Sequence, residues 1–206
     1  MKNAVKTVSD LGCLVGAARN IPVAGLAVDS REVRPGYLFA ALPGLQVHGA
    51  DYIAAALELG ATSILTDAAG VRRAGRALEV QGICVWISED PRQALAAAAA
   101  LWFGGQPDTM VAVTGTNGKT SVASFVRQIW TEMGLSAINL GTNGVLGAWQ
   151  APLSHTTPEP ITLHDTLSRA QAEGVTHAAL EASSHGLQQR RLDGTCLLYT
   201  SPSPRD

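Results

Sequence analysis

The amino-acid sequence predicts an α/β fold in two consecutive domains, each a mostly parallel sheet with covering helices. Three observations carry this. Short apolar runs alternate with segments of helical period along most of the chain. A glycine-rich turn joins an apolar strand to an amphipathic helix near its middle. The turn formers Gly104-Gly105-Gln106-Pro107-Asp108 separate two such alternating stretches. The expected boundary lies there, giving a first domain over 1–106, a second over 107–195 and a tail over 196–206.

In the first domain the runs 25–28, 37–42, 63–66 and 83–87 predict strands, each apolar and bounded by turn residues. A helix is expected over 50–59, with Ile53 and Leu57 on one face and Gly60 after it. Asp90-Pro91 supplies an N-cap and a first-turn proline, opening a helix over 92–103. In the second domain a strand over 110–113 precedes the glycine turn. Val122, Phe125, Val126, Ile129, Trp130 and Met133 then recur at three- and four-residue steps, and Gly134 stands where a C-terminal cap belongs. A strand over 137–140, a helix over 161–173 and a strand over 177–180 continue the alternation that a parallel sheet requires.

Composition bounds the function. The 206 residues are 46% hydrophobic and 16% charged, with a net charge of -2, so no basic face is offered to nucleic acid. Cys13, Cys84 and Cys196 show neither metal-ligand nor Cys-x-x-Cys spacing and read as scattered thiols of a reducing compartment, which makes the cytoplasm the expected location. No charged, apolar, small-residue leader opens the chain, and the alanine tract at 94–100 is too short to span a bilayer, so no membrane association is expected.

The run from Val113 through Gly115-Thr116-Asn117-Gly118-Lys119-Thr120-Ser121 names a ligand. Gly115 and Gly118 let backbone N–H groups curl inward at a helix N-terminus, the arrangement that cradles phosphate. Lys119 is placed to reach the β/γ-phosphates and the Thr120 hydroxyl to join a Mg²⁺ shell. The spacing is shorter than the common phosphate loop, which would have glycine where Val113 stands. A tight turn with a surface lysine would explain Lys119 but not the second glycine and the Lys-Thr pair at the helix start.

Four separated segments together resemble the Mur ligases, and within them the UDP-N-acetylmuramoyl-tripeptide synthetases (MurE type). They are Val28-Asp29-Ser30-Arg31 with Pro35-Gly36 and Leu38-Phe39; Leu42-Pro43-Gly44 with His48-Gly49; the loop 115–120; and His155-Thr156-Thr157-Pro158 with Glu181-Ala182-Ser183-Ser184-His185-Gly186-Leu187. The resemblance implies an N-terminal α/β domain for a UDP-linked substrate, followed by a truncated phosphate-loop domain, the Mur ligase central domain. It implies an enzyme of the acid-amino-acid ligase class that uses ATP and Mg²⁺ to add diaminopimelate or lysine to UDP-MurNAc-L-Ala-D-Glu. Its partners would be that UDP-MurNAc-dipeptide and an amino acid, and a monomer is expected. By the same resemblance Val28, Ser30 and Gln46 hold the uridine diphosphate, and His155, Thr156, Thr157, Ser183, Gln189 and Arg191 contact the sugar-peptide. Leu45 stands where the family often has a polar residue, and His155 where asparagine is frequent.

The chemistry can also be argued from the residues. A carboxylate is a poor electrophile, so ATP-driven amide formation proceeds through an acyl phosphate, and bringing two anions together demands cationic compensation. Lys119, the helix N-terminus and a Mg²⁺ held by Thr120 and a carboxylate supply it. Glu181, directly after the apolar strand 177–180, sits where open α/β sheets bind ligands and is the expected magnesium carboxylate. His185, four residues on, is a candidate to orient a phosphate or carboxylate. His48, His164 and His177 have no partner at ligand spacing and read as surface or packing groups.

After Gly194 the resemblance stops, and the Ser-Pro-containing stretch 196–206 reads as an unrelated or disordered tail. In the family the central domain continues to a lysine that helps hold a second magnesium, and a third domain binds the amino acid. The chain is therefore expected to be a fragment, inactive alone. The alternatives are another ligase of the superfamily, folylpolyglutamate or cyanophycin synthetase-like, and a noncatalytic nucleotide-sugar-binding module.

Overall fold

The computed structural model describes residues 5–13 and 20–198. The chain divides between Trp102 and Phe103 into two compact units.

The first unit is built on four parallel strands, β1 (Gly25–Ala27), β2 (Tyr37–Ala40), β3 (Ser63–Thr66) and β4 (Cys84–Ile87), in that order across the sheet. The residues of β1 and β3 are buried throughout, as expected of a parallel sheet covered on both faces. Between β1 and β2 the chain makes a 3-10 turn at Ser30–Glu32. The helix expected over 50–59 begins as a 3-10 turn, Gly49–Tyr52, and becomes α1 only over Ile53–Glu58. Ile53 and Ala56 turn into a core formed with Phe39 and Ile64, and Leu57 packs at its margin. Helix α2 (Ala68–Ala74) was not legible in the sequence: it carries a glycine and two arginines, and is started by the Asp67 side chain, which accepts from the Gly70 N–H. Helix α3 (Pro91–Phe103) closes the unit, burying Leu95, Ala96, Ala98 and Ala99.

His48 starts the turn at residue 49: its Nδ1 accepts the Ala50 N–H at 3.0 Å, so the proton sits on Nε2, which donates to Asp67 Oδ1 at 3.2 Å. Cys13 and Cys84 are both buried. Burial and the neighbouring Cys13 thiol push the Cys84 thiol up to about 11. These two thiols, far apart in sequence, meet in space.

The second unit holds β5 (Thr109–Val113), α4 (Lys119–Glu132), β6 (Ala137–Gly141), β7 (Gly144–Gly147), α5 (Pro160–Ala172), β8 (His177–Glu181) and α6 (Ser184–Gln188). The sheet order is β5-β8-β6-β7, with the first three parallel and β7 antiparallel to β6. The sheet is thus mostly parallel, as expected, with one antiparallel strand at this edge. Gly144, at φ +88°, closes a hairpin whose loop is only Thr142-Asn143. Met110, Ile138, Leu140, Leu163, Leu167 and Leu180 form the core.

Helix α4 corrects the expected apolar stripe. Ala123 is buried and Val126 and Trp130 are half-buried, whereas Val122, Phe125, Ile129 and Met133 are exposed. The apolar arc is wider than the face that the sheet covers, so only one side of it packs. Trp130 meets His177, the first residue of β8, edge to face at 5.0 Å. His164 lies inside the unit, only 1% exposed, and its Nε2 donates to the Asp193 carbonyl at 3.1 Å. Residues 197–198, read from sequence as part of the tail, bridge in parallel to Met110, where the Leu198 N–H donates to the Met110 carbonyl. Residues 199–206 lie outside the described residues.

Candidate nucleotide and magnesium site

Because β8 lies between β5 and β6, the carboxyl ends of all three strands open at one edge of the sheet, and the loops that follow them gather there. After β5 comes 114–118, after β6 Thr142-Asn143, and after β8 Ala182-Ser183.

The first loop is exposed and glycine-dependent. Gly118 caps α4 at φ +80° and Gly115 sits at φ +147°, conformations in which a side chain would be strained. Thr116 and Asn117 between them are exposed, and Ser121 follows in the first turn of α4. Lys119 arches back over the loop, its Nζ donating to the Gly115 carbonyl at 2.7 Å. The loop's own carbonyl thus holds the ammonium back over the turn.

Thr120, in the first turn of α4, points the other way. Its hydroxyl donates to Glu181 Oε2 at 2.8 Å. Glu181 is the last residue of β8 and only 2% exposed. Its other oxygen, Oε1, accepts the Thr142 N–H at 3.1 Å, and the Thr142 hydroxyl stands 3.4 Å from Oε2. Room for the carboxylate comes from Gly141, where a Cβ would fall 1.8 Å from Glu181 Oε1. Thr120 and Glu181 therefore form an all-oxygen pair beside the phosphate-loop turn, a donor set suited to a hard divalent cation. Among the described residues no cluster of three or more His, Cys, Asp or Glu could hold a metal. Magnesium commonly takes one or two carboxylates and completes its shell with phosphate and water.

Thr156 joins this network, its hydroxyl 3.0 Å from that of Thr142. Thr157 is buried. Its buried hydroxyl donates to the Glu181 carbonyl at 2.8 Å and accepts the Ser183 N–H at 2.9 Å, so it ties the loop to the end of β8. Arg191 also turns inward: it donates to the Thr157 carbonyl at 2.7 Å and to Gln189 Oε1 at 2.8 Å, and so braces the segment instead of offering an open fork. Ser183 caps α6 by accepting the Gly186 N–H. His155 is exposed and bonds to Ser154, and the exposed imidazole of His185 stands outside the Glu181 network.

In the first unit Val28 and Ser30 line a cavity of about 760 Å³ together with Phe39, Leu42, Val47 and Tyr52. Asp29 shapes its rim: it accepts the Arg31 N–H and the Arg31 guanidinium, whose hydrogen bonds hold the Asp29 carboxyl at about 2. Gln46 is exposed on the 43–48 loop and is not among the lining residues.

Sequence reasoning missed Gly141 and Thr142. A signal was present: Gly-Thr-Asn-Gly at 141–144 repeats the tetrapeptide at 115–118, each at the carboxyl end of a strand.

The family described as "Mur ligase family, catalytic domain" matches residues 22–103, and the "Mur ligase middle domain" matches residues 113–200. A UDP-N-acetylmuramoyl-L-alanyl-D-glutamate--2,6-diaminopimelate ligase of Rhizobium meliloti is 50% identical over 182 residues, 88% of this chain and 36% of the relative. The ligase of that name from Caulobacter vibrioides is 47% identical, covering 85% of this chain and 36% of its own length. A solved structure of a ligase with this name superposes with a TM-score of 0.76 at 27% identity, over 94% of this chain and 39% of that one. A MurF ligase from Thermotoga maritima, solved with ADP, shares the fold at a TM-score of 0.50 and 22% identity, over 77% of this chain and 32% of its own. The chain thus spans little more than a third of the curated relatives it matches. With both of its units matched in order, the chain belongs to the Mur ligase family.

Proposed function

We propose that this chain is the UDP-substrate-binding and nucleotide-binding portion of an ATP-dependent ligase. The whole enzyme would add the third amino acid, diaminopimelate or lysine, to UDP-MurNAc-L-Ala-D-Glu in cytoplasmic peptidoglycan precursor synthesis, acting as a monomer. The observation that carries this is the hydrogen bond from Thr120 to Glu181, which sets a hydroxyl and a buried carboxylate beside a glycine-rich turn at the carboxyl ends of β5, β6 and β8.

ATP is the nucleotide and Mg²⁺ the cation of this reading. Magnesium would be held by Thr120 and Glu181, where it would offset the charge of the phosphates and polarise the phosphoryl group under attack. Backbone N–H groups of 115–118 and the N-terminus of α4 would take the β- and γ-phosphates. Lys119, released from the Gly115 carbonyl, would neutralise the γ-phosphate as the substrate carboxylate approaches to form the acyl phosphate. Ser183, Gln189 and Arg191 shape the region around Glu181 that would receive the sugar-peptide. The Val28–Ser30 cavity of the first unit would receive the uridine diphosphate. His185, exposed at the start of α6, would meet a phosphate or carboxylate of the bound substrates.

The test is thermal stabilisation of this chain. UDP-MurNAc-L-Ala-D-Glu and Mg·ATP should each raise the melting temperature, and Lys119→Ala should lose the ATP effect while keeping that of the UDP-sugar. Stabilisation by UDP compounds alone would point to a nucleotide-sugar-binding module. Stabilisation by ATP alone would point to a different ligase of the superfamily. Loss of both effects in Lys119→Ala would show that the two ligands are wrongly assigned to separate units.

A further inference from the structure

The cavity of the first unit takes its walls from two loops. Residues 28–31 follow β1, whereas Leu42, Val47, Gly49 and Tyr52 belong to the segment after β2. That second wall has an open tip, where Leu45 is 97% exposed, and is fixed at its base. Pro43 and His48 pair as an antiparallel bridge, the Gly49 N–H donates to the Leu42 carbonyl at 2.8 Å, and Arg92 of α3 donates to the Pro43 carbonyl. His48 turns inward, its side chain only 10% exposed, and bonds in two directions. Nδ1 accepts the Ala50 N–H and so caps the turn at Gly49–Tyr52, while Nε2 meets Asp67 Oδ1. Asp67 directly follows β3, whose last residue, Thr66, donates to the Ala41 carbonyl at 2.8 Å, so this carboxylate has a fixed place at the end of the sheet. Gly70 lets the first turn of α2 come close to the imidazole: a Cβ there would fall 2.9 Å from His48 Cε1.

Resting on the proposal that this cavity receives the uridine diphosphate, we infer that His48 is a positioning residue for it, ordering the wall that carries Gly49 and Tyr52 before the ligand arrives. Neutral imidazole has two tautomers, and only the one with a bare Nδ1 can take the Ala50 N–H. A carboxylate can only accept, so Asp67 holds the proton on Nε2 and leaves the Nδ1 lone pair facing the turn. Without that acceptor an N–H at the start of the turn loses its partner, and the turn loses its register on the sheet. The other tie from the turn to α2, Arg73 to Asp51 at 3.0 Å, is exposed at both ends and contributes little. An uncapped wall samples positions that the ligand must then narrow, and this ordering cost is drawn from the binding free energy. His48 thus acts on the ligand through the backbone of 49–52, by way of the cap.

The experiment joins amide hydrogen exchange to calorimetric titration of this chain with UDP-MurNAc-L-Ala-D-Glu. Asn carries an oxygen where His48 has Nδ1 and is itself a favoured cap, whereas Gln reaches toward Asp67 and offers no acceptor at the cap. In His48→Ala and His48→Gln the Ala50 amide should lose protection while the amides of β2 and β3 keep theirs, and the Kd should rise about tenfold, the scale of one lost hydrogen bond. His48→Asn should keep Ala50 protected and bind within about threefold of wild type, a rescue that a ring serving only to fill space would not show. If His48→Ala does not fold, the Asn and Gln variants decide between them. A Kd within about twofold of wild type in His48→Ala or His48→Gln, or failure of Asn to rescue, would overturn the inference and leave the assignment of the cavity standing. A wild type with Ala50 protected that binds no UDP-sugar would overturn that assignment, and the inference with it.

Discussion

Gly141→Ala tests how the carboxylate of Glu181 is housed. Gly141 lies in β6 beside the end of β8, and its φ is not among the positive ones, so the backbone tolerates alanine and only space decides the outcome. The added methyl would sit 1.8 Å from Oε1, 2.3 Å from Cδ and 2.6 Å from Cγ of Glu181. Three atoms of the side chain would overlap it, including one close to the backbone, so a small adjustment of the tip cannot relieve the clash. The carboxylate must leave, giving up the bonds from Thr120 and from the Thr142 N–H. Hydrogen bonds to charged groups contribute about 1.5–3 kcal/mol each, and a displaced carboxylate recovers part of that from water, which leaves a loss of about 2–4 kcal/mol. For a domain near 100 residues that lowers the melting temperature by roughly 10–20 °C. The assay is calorimetric unfolding of the single variant and of Gly141→Ala in a Glu181→Ala background. With the side chain gone the methyl has room, and its cost should fall below about 1 kcal/mol, the signature of two sites in contact. A single variant melting within about 2 °C of wild type, or an equal cost in both backgrounds, would refute the steric account.

Two further predictions concern buried groups. Burial lowers the pKa of His164, against weaker opposing effects from the Asp193 carbonyl and Glu159, and its Nδ1 has no partner. The folded pKa lies below the unfolded one, so the unfolded chain binds the extra proton. Stability should therefore be full above about pH 6.5 and fall as the pH drops below it, a slope that urea midpoints between pH 7 and 5 should show and His164→Gln should flatten. Among the thiols, Cys196 is exposed while Cys13 and Cys84 are buried, the latter with its pKa raised to about 11. A disulfide reagent at pH 8 should thus modify one thiol per native chain promptly and the other two only on unfolding; prompt reaction of all three would contradict the burial.

The amino-acid sequence by itself determined the α/β class, the alternation of strands and helices, the glycine turn at 115–118 and the prominence of Glu181. Those signals are local: apolar runs of strand length, caps such as Asp90-Pro91, and glycines wherever a turn needs positive φ. Other features depended on neighbours remote along the chain, which no local pattern encodes. The strand order β5-β8-β6-β7 brings Thr120, Gly141, Thr142 and Glu181 together from three separate stretches of the chain. How much of the α4 apolar arc is covered was decided by the width of the sheet beneath it, and so Phe125 and Ile129 stay in solvent while Val126 and Trp130 pack. Thr157 and Arg191 have the residue types of ligand contacts; that they also bond to the end of β8, to the Thr157 carbonyl and to Gln189 was decided by the tertiary structure. A side chain's chemistry is written in the sequence, whereas the partner that consumes it is chosen only when the chain closes on itself, because hydrogen bonds act over about 3 Å and are blind to sequence distance.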